Sequence, residues 1–271
     1  MALYAQQQIV STLSILDLIA MKRAGEKISC LTAYDASFSQ LIDLAGVDVM
    51  LVGDSLGMVI QGKQTTVPVS IADMVYHTQC VVTARKRAFV IADLPFLSYA
   101  TAEMALNNAA KLMQSGGAQM VKLEGAHIKI IELLVGFAVP VCAHLGLLPQ
   151  SINQLGRYKV QGKTFHDAEK IAEDAKKIEQ AGASLLILEC VPAELAEKIS
   201  KSLTIPVIGI GAGVACDGQV LVLYDMLGIS LGKRPRFSQD FMQIADNIPD
   251  AIQQYHQAVK QGSFPTVQQS Y

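Results

Sequence analysis

Several short runs of apolar, β-prone residues in this chain end abruptly in an acidic residue. Four of them end at Asp54, Asp93, Glu124 and Glu189. Continuous apolar strands that are separated by amphipathic segments are typical of a parallel sheet buried on both faces. In such α/β folds the functional site lies at the carboxyl ends of the strands, where these four acids fall. The pattern therefore predicts an α/β protein whose site is built around this row of acids.

The number of apolar runs predicts a TIM (β/α)8 barrel. Three junctions between a helix and a strand repeat one pattern, in which Gly46, Gly117 or Gly182 precedes an apolar run. Internal repetition of this kind is the mark of a β/α array. A chain of 271 residues is long enough for one such barrel, so we expect a single domain over residues 1–271. The predicted strands fall at residues 27–33, 48–54, 88–93, 119–124, 139–144, 184–189, 205–211 and 219–225.

Segments outside the repeated units complete the predicted architecture. Residues 11–24 form an N-terminal helix that should close the floor of the barrel, and a helix near residues 241–261 should form a C-terminal helical extension. The segments 55–68 and 145–163 are much longer than the usual connection of about 2 to 6 residues. We expect both to be functional loops at the mouth of the barrel.

The composition excludes several classes of function. A net charge of -2, with no basic cluster larger than residues 85–87, gives no electrostatic footprint for nucleic acid, and we interpret that triplet as the solvated end of a helix. No apolar run reaches roughly 18 residues, the length of a membrane span, so we expect no membrane partner. No positive residues precede the first apolar segment, as they would in a secretory signal. The five cysteines lie far apart without a CxxC spacing, which favours reduced thiols and a cytoplasmic protein.

Asp54, Asp93 and Glu124 are candidate metal ligands. Three carboxylates that converge on the mouth of one barrel repel each other unless a cation lies between them. Oxygen-only ligation favours Mg²⁺ or another hard divalent ion, with water and substrate at the remaining positions. We therefore predict one Mg²⁺ per subunit. The alternative for each acid is a structural role, as a helix cap or as the partner of a basic residue.

Three further residues are candidates for binding and proton transfer. Lys122 lies two residues before Glu124, so both side chains should point toward the barrel axis, where the lysine either holds an anionic substrate or pairs structurally with Glu124. Glu189 follows four apolar residues, and a poorly solvated carboxylate is suited to act as a general base, although a structural capping role is the alternative. His144, at the end of the fifth predicted strand, either contacts substrate or is a structural group.

Eight short motifs spread over nearly the whole chain carry a family resemblance. They are LTAYD at residues 31–35, LVGDSLG at 51–57, ADLPF at 92–96, VKLEG at 121–125, HLGL at 144–147, YKVQG at 158–162, LECVP at 188–192 and IGIGAG at 208–213. In this combination the chain closely resembles the ketopantoate hydroxymethyltransferase family. The resemblance implies transfer of a hydroxymethyl group from 5,10-methylenetetrahydrofolate to 3-methyl-2-oxobutanoate, which gives 2-dehydropantoate and opens pantothenate biosynthesis.

The same resemblance implies roles for individual residues. Asp54, Asp93 and Glu124 look like the magnesium site, and Ser55 and Lys122 look like contacts to the 2-oxo acid. The two aspartates and His144 are further expected contacts to the substrate. Glu189 looks like the base that removes the C3 hydrogen, after which the enolate attacks the one-carbon unit and hydrolysis leaves tetrahydrofolate. The family also implies a homo-oligomer, commonly a homodecamer.

Three positions depart from the pattern associated with the family, namely Ala143, Leu148 and Arg157, and they put the loop shape and the folate affinity in question. The nearest alternative function is a magnesium-dependent 2-oxo-acid aldolase or lyase, which would share the metal and the base but use another electrophile. A non-catalytic metabolite-binding barrel is the alternative from another class. Three metal-type acids together with a separate base argue against it.

Overall fold

A closed barrel of parallel strands forms the centre of the molecule. The computed structural model describes residues 11–230, 232 and 234–271. Neighbouring strands pair in chain order, and the last pairs with the first, so the predicted TIM barrel is confirmed. The strands of the described residues are β1 (Ile28–Thr32), β2 (Val49–Val52), β3 (Phe89–Asp93), β4 (Met120–Glu124), β5 (Val141–Gly146), β6 (Leu185–Glu189), β7 (Val207–Ile210) and β8 (Gly218–Leu221).

Helices surround the barrel and alternate with its strands. Several begin at the residues that favour helix starts, as where the Ser70 side chain accepts a hydrogen bond from the backbone N–H of Asp73 in a capping box. The α-helices are α1 (Ile15–Ala24), α2 (Ala36–Leu44), α3 (Leu56–Val59), α4 (Ile71–Ala84), α5 (Ala102–Ala110), α6 (Ile128–Gly136), α7 (Ile152–Leu155), α8 (Phe165–Gln180), α9 (Ala193–Ser202), α10 (Leu223–Met226) and α11 (Ile248–Lys260). A π-helical stretch, Lys111–Ser115, continues α5, and short 3₁₀ turns lie at Pro149–Ser151, Phe241–Gln243 and Val267–Gln269.

Alternate strand residues point into the barrel and form an inner core. Val49 and Leu51 of β2 pack there with Phe89 and Ile91 of β3. The fully buried Leu18 of α1 packs against the same core. A hydrogen bond from the backbone N–H of Leu13 to the carbonyl of Arg87, just before β3, places the start of this segment at the amino ends of the strands. The N-terminal helix therefore closes the floor of the barrel, as predicted.

The C-terminal helical extension is confirmed as α11, which packs on β1 and α2. It begins at Ile248 rather than near residue 241, because the Asn247 side chain caps it and Pro249 occupies its first turn. The fully buried Tyr255 places its hydroxyl 2.8 Å from the carbonyl oxygen of Cys30 and 3.0 Å from that of Gln219. The helix is thus attached to β1 and to β8 at once.

A buried ionic cluster lies beneath the barrel at the start of β2. The fully buried Asp48 accepts hydrogen bonds from the backbone N–H and hydroxyl of Ser29, both at 3.0 Å. Its carboxylate also pairs with Arg87 at 2.9 Å and with Lys260 of α11 at 2.7 Å. The interpretation of the basic triplet at 85–87 as a solvated helix end is therefore wrong for Arg87, which reaches under the barrel to a buried acid.

The last predicted strand ends earlier in the structure. The strand predicted at 219–225 ends at Leu221, and residues 223–226 form α10, whose first N–H, that of Leu223, donates to the Thr32 hydroxyl at 2.9 Å. Helix α6 lies between β4 and β5, in a connection for which the (β/α)8 prediction gave no helix bounds. The prediction of one domain over residues 1–271 includes residues 1–10, which lie outside the described residues, and stays a prediction. No helix of the described part is long and apolar enough to cross a bilayer.

Candidate active site

One large cavity opens at the carboxyl ends of the strands, with a volume of about 1120 Å³. It collects the side chains from five strand ends, and both predicted functional loops contribute to its walls. All the predicted site residues line it, namely Asp54, Ser55, Asp93, Lys122, Glu124, His144 and Glu189. The structure therefore brings into one place the residues that the sequence spreads over more than half of its length.

The register of the strands explains this convergence. Asp93 of β3 pairs with Lys122 of β4, and Glu124 of β4 pairs with His144 of β5. Glu189 at the end of β6 pairs with Gly146 of β5. Because neighbouring strands bring paired residues to one level and alternate residues point inward, these side chains meet at the top of the barrel.

Lys122 forms a buried ion pair with Asp93. Its ammonium group donates to Asp93 Oδ1 at 2.8 Å, and both side chains are almost fully buried. The structural alternative, in which Lys122 pairs with Glu124, is therefore wrong, because the lysine pairs with Asp93. Burial by itself lowers the pKa of Lys122. The carboxylates of Asp93, Glu124 and Asp54 raise this pKa by more than burial lowers it, so the net shift is upward. The lysine thus stays cationic at neutral pH.

Gln150, which lies outside the predicted set of site residues, connects two of the acids. Its side-chain amide donates to Asp54 Oδ2 at 2.8 Å, and its backbone N–H donates to Glu124 Oε2 at 3.0 Å. The hydroxyl of Tyr99 donates to the amide oxygen of Gln150 at 2.7 Å. This glutamine lies in the long loop after β5 and is buried. Its position shows that the loop contributes to the site.

Ser55 is held by a second residue outside the predicted set. The hydroxyls of Ser55 and Tyr34 lie 2.8 Å apart, and Tyr34 is buried. The carbonyl of Tyr34 lies 2.6 Å from Nδ1 of His77 on α4. Tyr34 belongs to the LTAYD motif and lies two residues after the end of β1. Its place at the carboxyl end of a strand was the feature of the sequence that could have predicted it as a site residue.

His144 lies between two acids without a hydrogen-bond partner. Its Nδ1 is 3.7 Å from Glu124 Oε1, and its Nε2 is 3.3 Å from Glu189 Oε2. Neither ring nitrogen forms a hydrogen bond within the described residues, although the side chain is 2% exposed. Burial lowers the pKa of His144 despite the opposing effect of Glu189, so the ring is neutral at neutral pH. An unsatisfied buried ring that lines a cavity is suited to bond a ligand there.

Glu189 is less buried than the other acids, with 14% of its side chain exposed compared with 3% for Glu124. Its backbone is fixed where β5 approaches β6. The N–H of Leu147 donates to the Glu189 carbonyl at 2.8 Å. A Cβ on Gly146, whose φ is +93°, would overlap that carbonyl oxygen. The next residue, Cys190, has a φ of +47°, which is rare for a side chain other than glycine.

The charge at the inner end of the cavity suits a cation. Burial and the neighbouring Asp93 raise the pKa of Asp54 to about 7, and burial raises the pKa of Glu124 well above its usual value. Such shifts mark excess negative charge that a cation would offset. In residues 11–230, 232 and 234–271 no three His, Cys, Asp or Glu side chains are arranged to hold a metal ion by themselves. The assignment of all three acids as ligands stays a prediction.

Comparison with known proteins identifies the family. The model of the ketopantoate hydroxymethyltransferase family matches residues 12–267. This chain belongs to that family. A relative from Nitrosococcus oceani, named 3-methyl-2-oxobutanoate hydroxymethyltransferase, is 57% identical over 96% of this chain and 99% of its own. A second, from Burkholderia cenocepacia and named 3-methyl-2-oxobutanoate hydroxymethyltransferase 1, is 55% identical over 99% of both chains. The chain is therefore an enzyme of a transferase family.

More distant solved structures share the fold of this family. A putative phosphonomutase from Burkholderia cenocepacia has a TM-score of 0.64 at 15% identity, and the match covers 79% of this chain and 94% of the other. A 2,3-dimethylmalate lyase of the PEP mutase/isocitrate lyase superfamily has a TM-score of 0.53 at 15% identity, with 72% of this chain and 70% of the other covered. At such identities the likeness concerns the barrel alone.

Proposed function

We propose that this enzyme transfers a hydroxymethyl group from 5,10-methylenetetrahydrofolate to 3-methyl-2-oxobutanoate and yields 2-dehydropantoate, by metal-assisted enolisation. The observation that carries the proposal is the meeting of Lys122, three buried carboxylates and Glu189 in one cavity of a chain of this family. An enolisation requires a group that holds the acid, a group that stabilises the developing oxyanion and a base at C3.

Lys122 and Ser55 are the proposed contacts to the oxo acid. The ammonium group of Lys122 stays charged because carboxylates surround it, and it can therefore hold the substrate carboxylate or the developing enolate oxygen. The Ser55 hydroxyl is oriented by Tyr34 at 2.8 Å, which leaves it available to a substrate oxygen. The two side chains would fix the substrate so that its C3 hydrogen faces the base.

Asp54 and Asp93 are the residues that would hold Mg²⁺, together with Glu124. Mg²⁺ is commonly bound through one or two carboxylates, with water and substrate at the other positions. The donor set therefore suits the ion even though no three His, Cys, Asp or Glu side chains of the described residues form a complete group. When bound, the ion would supply Lewis-acid polarisation of the oxo group. Gln150 would hold Asp54 and Glu124 in place for it through two hydrogen bonds.

Glu189 is the proposed base. Its carboxylate lines the cavity and is partly exposed to it, unlike the acids at the inner end. Removal of the C3 proton gives the enolate, whose C3 bonds to the one-carbon unit as the bond from that carbon to one folate nitrogen breaks. Water then displaces the second folate nitrogen and supplies the hydroxyl group, and the C3 proton and one water proton end on the two nitrogens of the departing tetrahydrofolate. His144, whose Nε2 lies 3.3 Å from Glu189 Oε2, is a further proposed contact to the substrate.

Exchange of the substrate's C3 hydrogen with deuterated water tests the base directly. We expect Glu189→Gln to lose this exchange by about a hundredfold or more, the typical size of a general-base contribution, and to bind the oxo acid and Mn²⁺ as before. The exposed Glu194→Gln on α9 is the matched control and should exchange like the wild type. Exchange close to the wild-type rate in Glu189→Gln would refute the assignment, and loss of metal binding would make Glu189 a metal ligand.

A magnesium-dependent 2-oxo-acid aldolase or lyase is the second candidate, because it needs the same acids and the same base. The dependence of product formation on methylenetetrahydrofolate separates the two. Formation of 2-dehydropantoate only with the folate supports the transferase, whereas cleavage of a hydroxy acid without folate supports the lyase. A cytoplasmic location and a homo-oligomer, possibly a homodecamer, remain proposals from the family.

A further inference from the structure

The two ends of the cavity carry opposite charge. The buried carboxylates lie at its inner end, whereas the exposed side chains of Lys159, Lys163 and Arg236 line its mouth. We call these three side chains the basic rim. The oxo acid is proposed to bind at the inner end, which leaves the rim available to another anionic group.

Hydrogen bonds place the segments that carry the basic rim close together. The backbone N–H of Gln161, between the two lysines, donates to the carbonyl of Cys190 at 2.8 Å. The N–H of Ala193 donates to the carbonyl of Tyr271 at 2.8 Å. The guanidinium of Arg236 lies 5.3 Å from the centre of the Tyr271 ring. The segment with the two lysines and the segment with Arg236 thus lie on either side of residues 190–193, which follow the candidate base Glu189.

The charges of the basic rim are available to a ligand. Neither lysine has a carboxylate of the described residues within 4.0 Å of its ammonium group. Arg236 uses its Nε to donate to the carbonyl of Gln268 at 2.9 Å, which fixes its direction. In contrast, the neighbouring Arg234 is paired with Asp240 at 3.2 Å.

The cavity is also too large for the oxo acid alone. Its volume of about 1120 Å³ exceeds the range of about 300 to 1,000 Å³ usual for drug-sized ligands, whereas the oxo acid has a five-carbon skeleton. Tyr158, next to Lys159, and Tyr271, under Arg236, line the cavity and place aromatic rings beside the basic rim. A ligand with an aromatic body and an anionic end matches this surface.

We propose that the basic rim binds the glutamyl carboxylates of the one-carbon donor, with the donor's ring system further in, toward Glu189. This rests on the proposed function, because it takes the donor to be a reduced folate. An arginine with a fixed direction can form a bidentate pair with one carboxylate, and the lysines add point charges for the other. The rim would then determine affinity for the donor without taking part in enolisation.

A donor that lacks the glutamate provides the test. The Michaelis constant is measured for 5,10-methylenetetrahydrofolate and for 5,10-methylenetetrahydropteroate, in the wild type and in the double variant Lys159→Gln and Arg236→Gln. The double variant should raise the Michaelis constant for the folate roughly tenfold or more. It should leave kcat and the constant for the pteroate unchanged, as expected when uniform binding is removed. The exposed Lys176→Gln on α8, outside the cavity, is the control.

The outcomes separate this inference from the proposed function. If the wild type uses both donors with equal Michaelis constants, or if the double variant weakens both donors equally, the inference about the rim is wrong. If the wild type exchanges the C3 hydrogen but transfers from neither donor, the proposed donor is wrong and the inference fails with it. Loss of C3 exchange in the double variant, which needs no folate, would show that the rim acts on enolisation and would also overturn the inference.

Discussion

At the scale of single residues, Gln150 holds together the acidic end of the cavity. Its amide is fully used, because Nε2 donates to Asp54 and to the carbonyl of Leu94 while Oε1 accepts from Tyr99. The acids are predictable from the sequence, since each ends an apolar run. Gln150 is not, because it lies in a loop whose residues have no periodicity, and only the folded chain brings it between β2 and β4.

Replacing Gln150 by leucine keeps the volume but removes these hydrogen bonds. We expect a loss of about 1 to 3 kcal/mol in the free energy of unfolding, since buried polar groups lose their partner. Affinity for Mn²⁺ should fall about tenfold to a hundredfold, as is typical when a residue that supports metal ligands is changed. Calorimetric titration and chemical denaturation measure both. Tyr99→Phe, which removes one bond to the amide, should show a smaller loss, and an unchanged Mn²⁺ affinity in Gln150→Leu would contradict the role.

At the scale of secondary structure, the approach of β5 to β6 sets the position of Glu189. The hydrophobic runs predicted the strands because both faces of a barrel strand are buried. Each strand therefore appears in the sequence as a continuous apolar run of about its own length. The predicted end of the last strand was wrong, because the mainly apolar residues 223–226 continue the apolar run of β8 but form α10. The bounds of α6 were not predicted, although its Ile131 and Leu134 are buried. What no apolar pattern predicts is the close backbone contact at Gly146.

Gly146→Ala tests this contact. The positive φ costs about 1 to 3 kcal/mol in an alanine, and the Cβ would overlap the Glu189 carbonyl, so the end of β6 must move. We expect lower thermal stability together with a loss of C3 hydrogen exchange. Gly136→Ala is the matched control, since a Cβ there meets nothing within 4 Å and the residue ends α6. Full exchange activity in Gly146→Ala would show that the position of Glu189 does not depend on this glycine.

At the scale of the whole molecule, the ionic cluster around Asp48 ties α11 to the floor of the barrel. Burial raises the pKa of Asp48, but Lys260, Ser29 and Arg87 lower it more, so its pKa lies below the usual value. A lowered pKa in the folded state contributes stability that is present above the unfolded pKa, near 3.8, and is lost as the pH falls through the folded value. The link between α11 and the barrel should therefore weaken in acid.

Lys260→Gln tests the link. It should lower the free energy of unfolding at neutral pH by about 1 to 3 kcal/mol, less than for a fully buried pair because Arg87 remains. It should also flatten the rise in stability with pH in the acidic range around and below 3.8, because Asp48 loses a cation. Urea denaturation at neutral pH measures the first effect, and urea denaturation over the acidic range measures the second. Lys201→Gln removes only an exposed pair with Glu197 and should change neither. An unchanged pH profile in Lys260→Gln would show that the pair is not linked to stability.

Tyr255 has a consequence for the order in which the protein is completed. Its hydroxyl lies against the carbonyls of Cys30 on β1 and Gln219 on β8, the two strands whose pairing closes the barrel. These strands are the first and the last to be synthesised, and the residue that bridges them comes later still. During translation the emerging chain must therefore carry an open sheet with two unpaired edges. The bridge across this seam can therefore form only after α11 has left the ribosome.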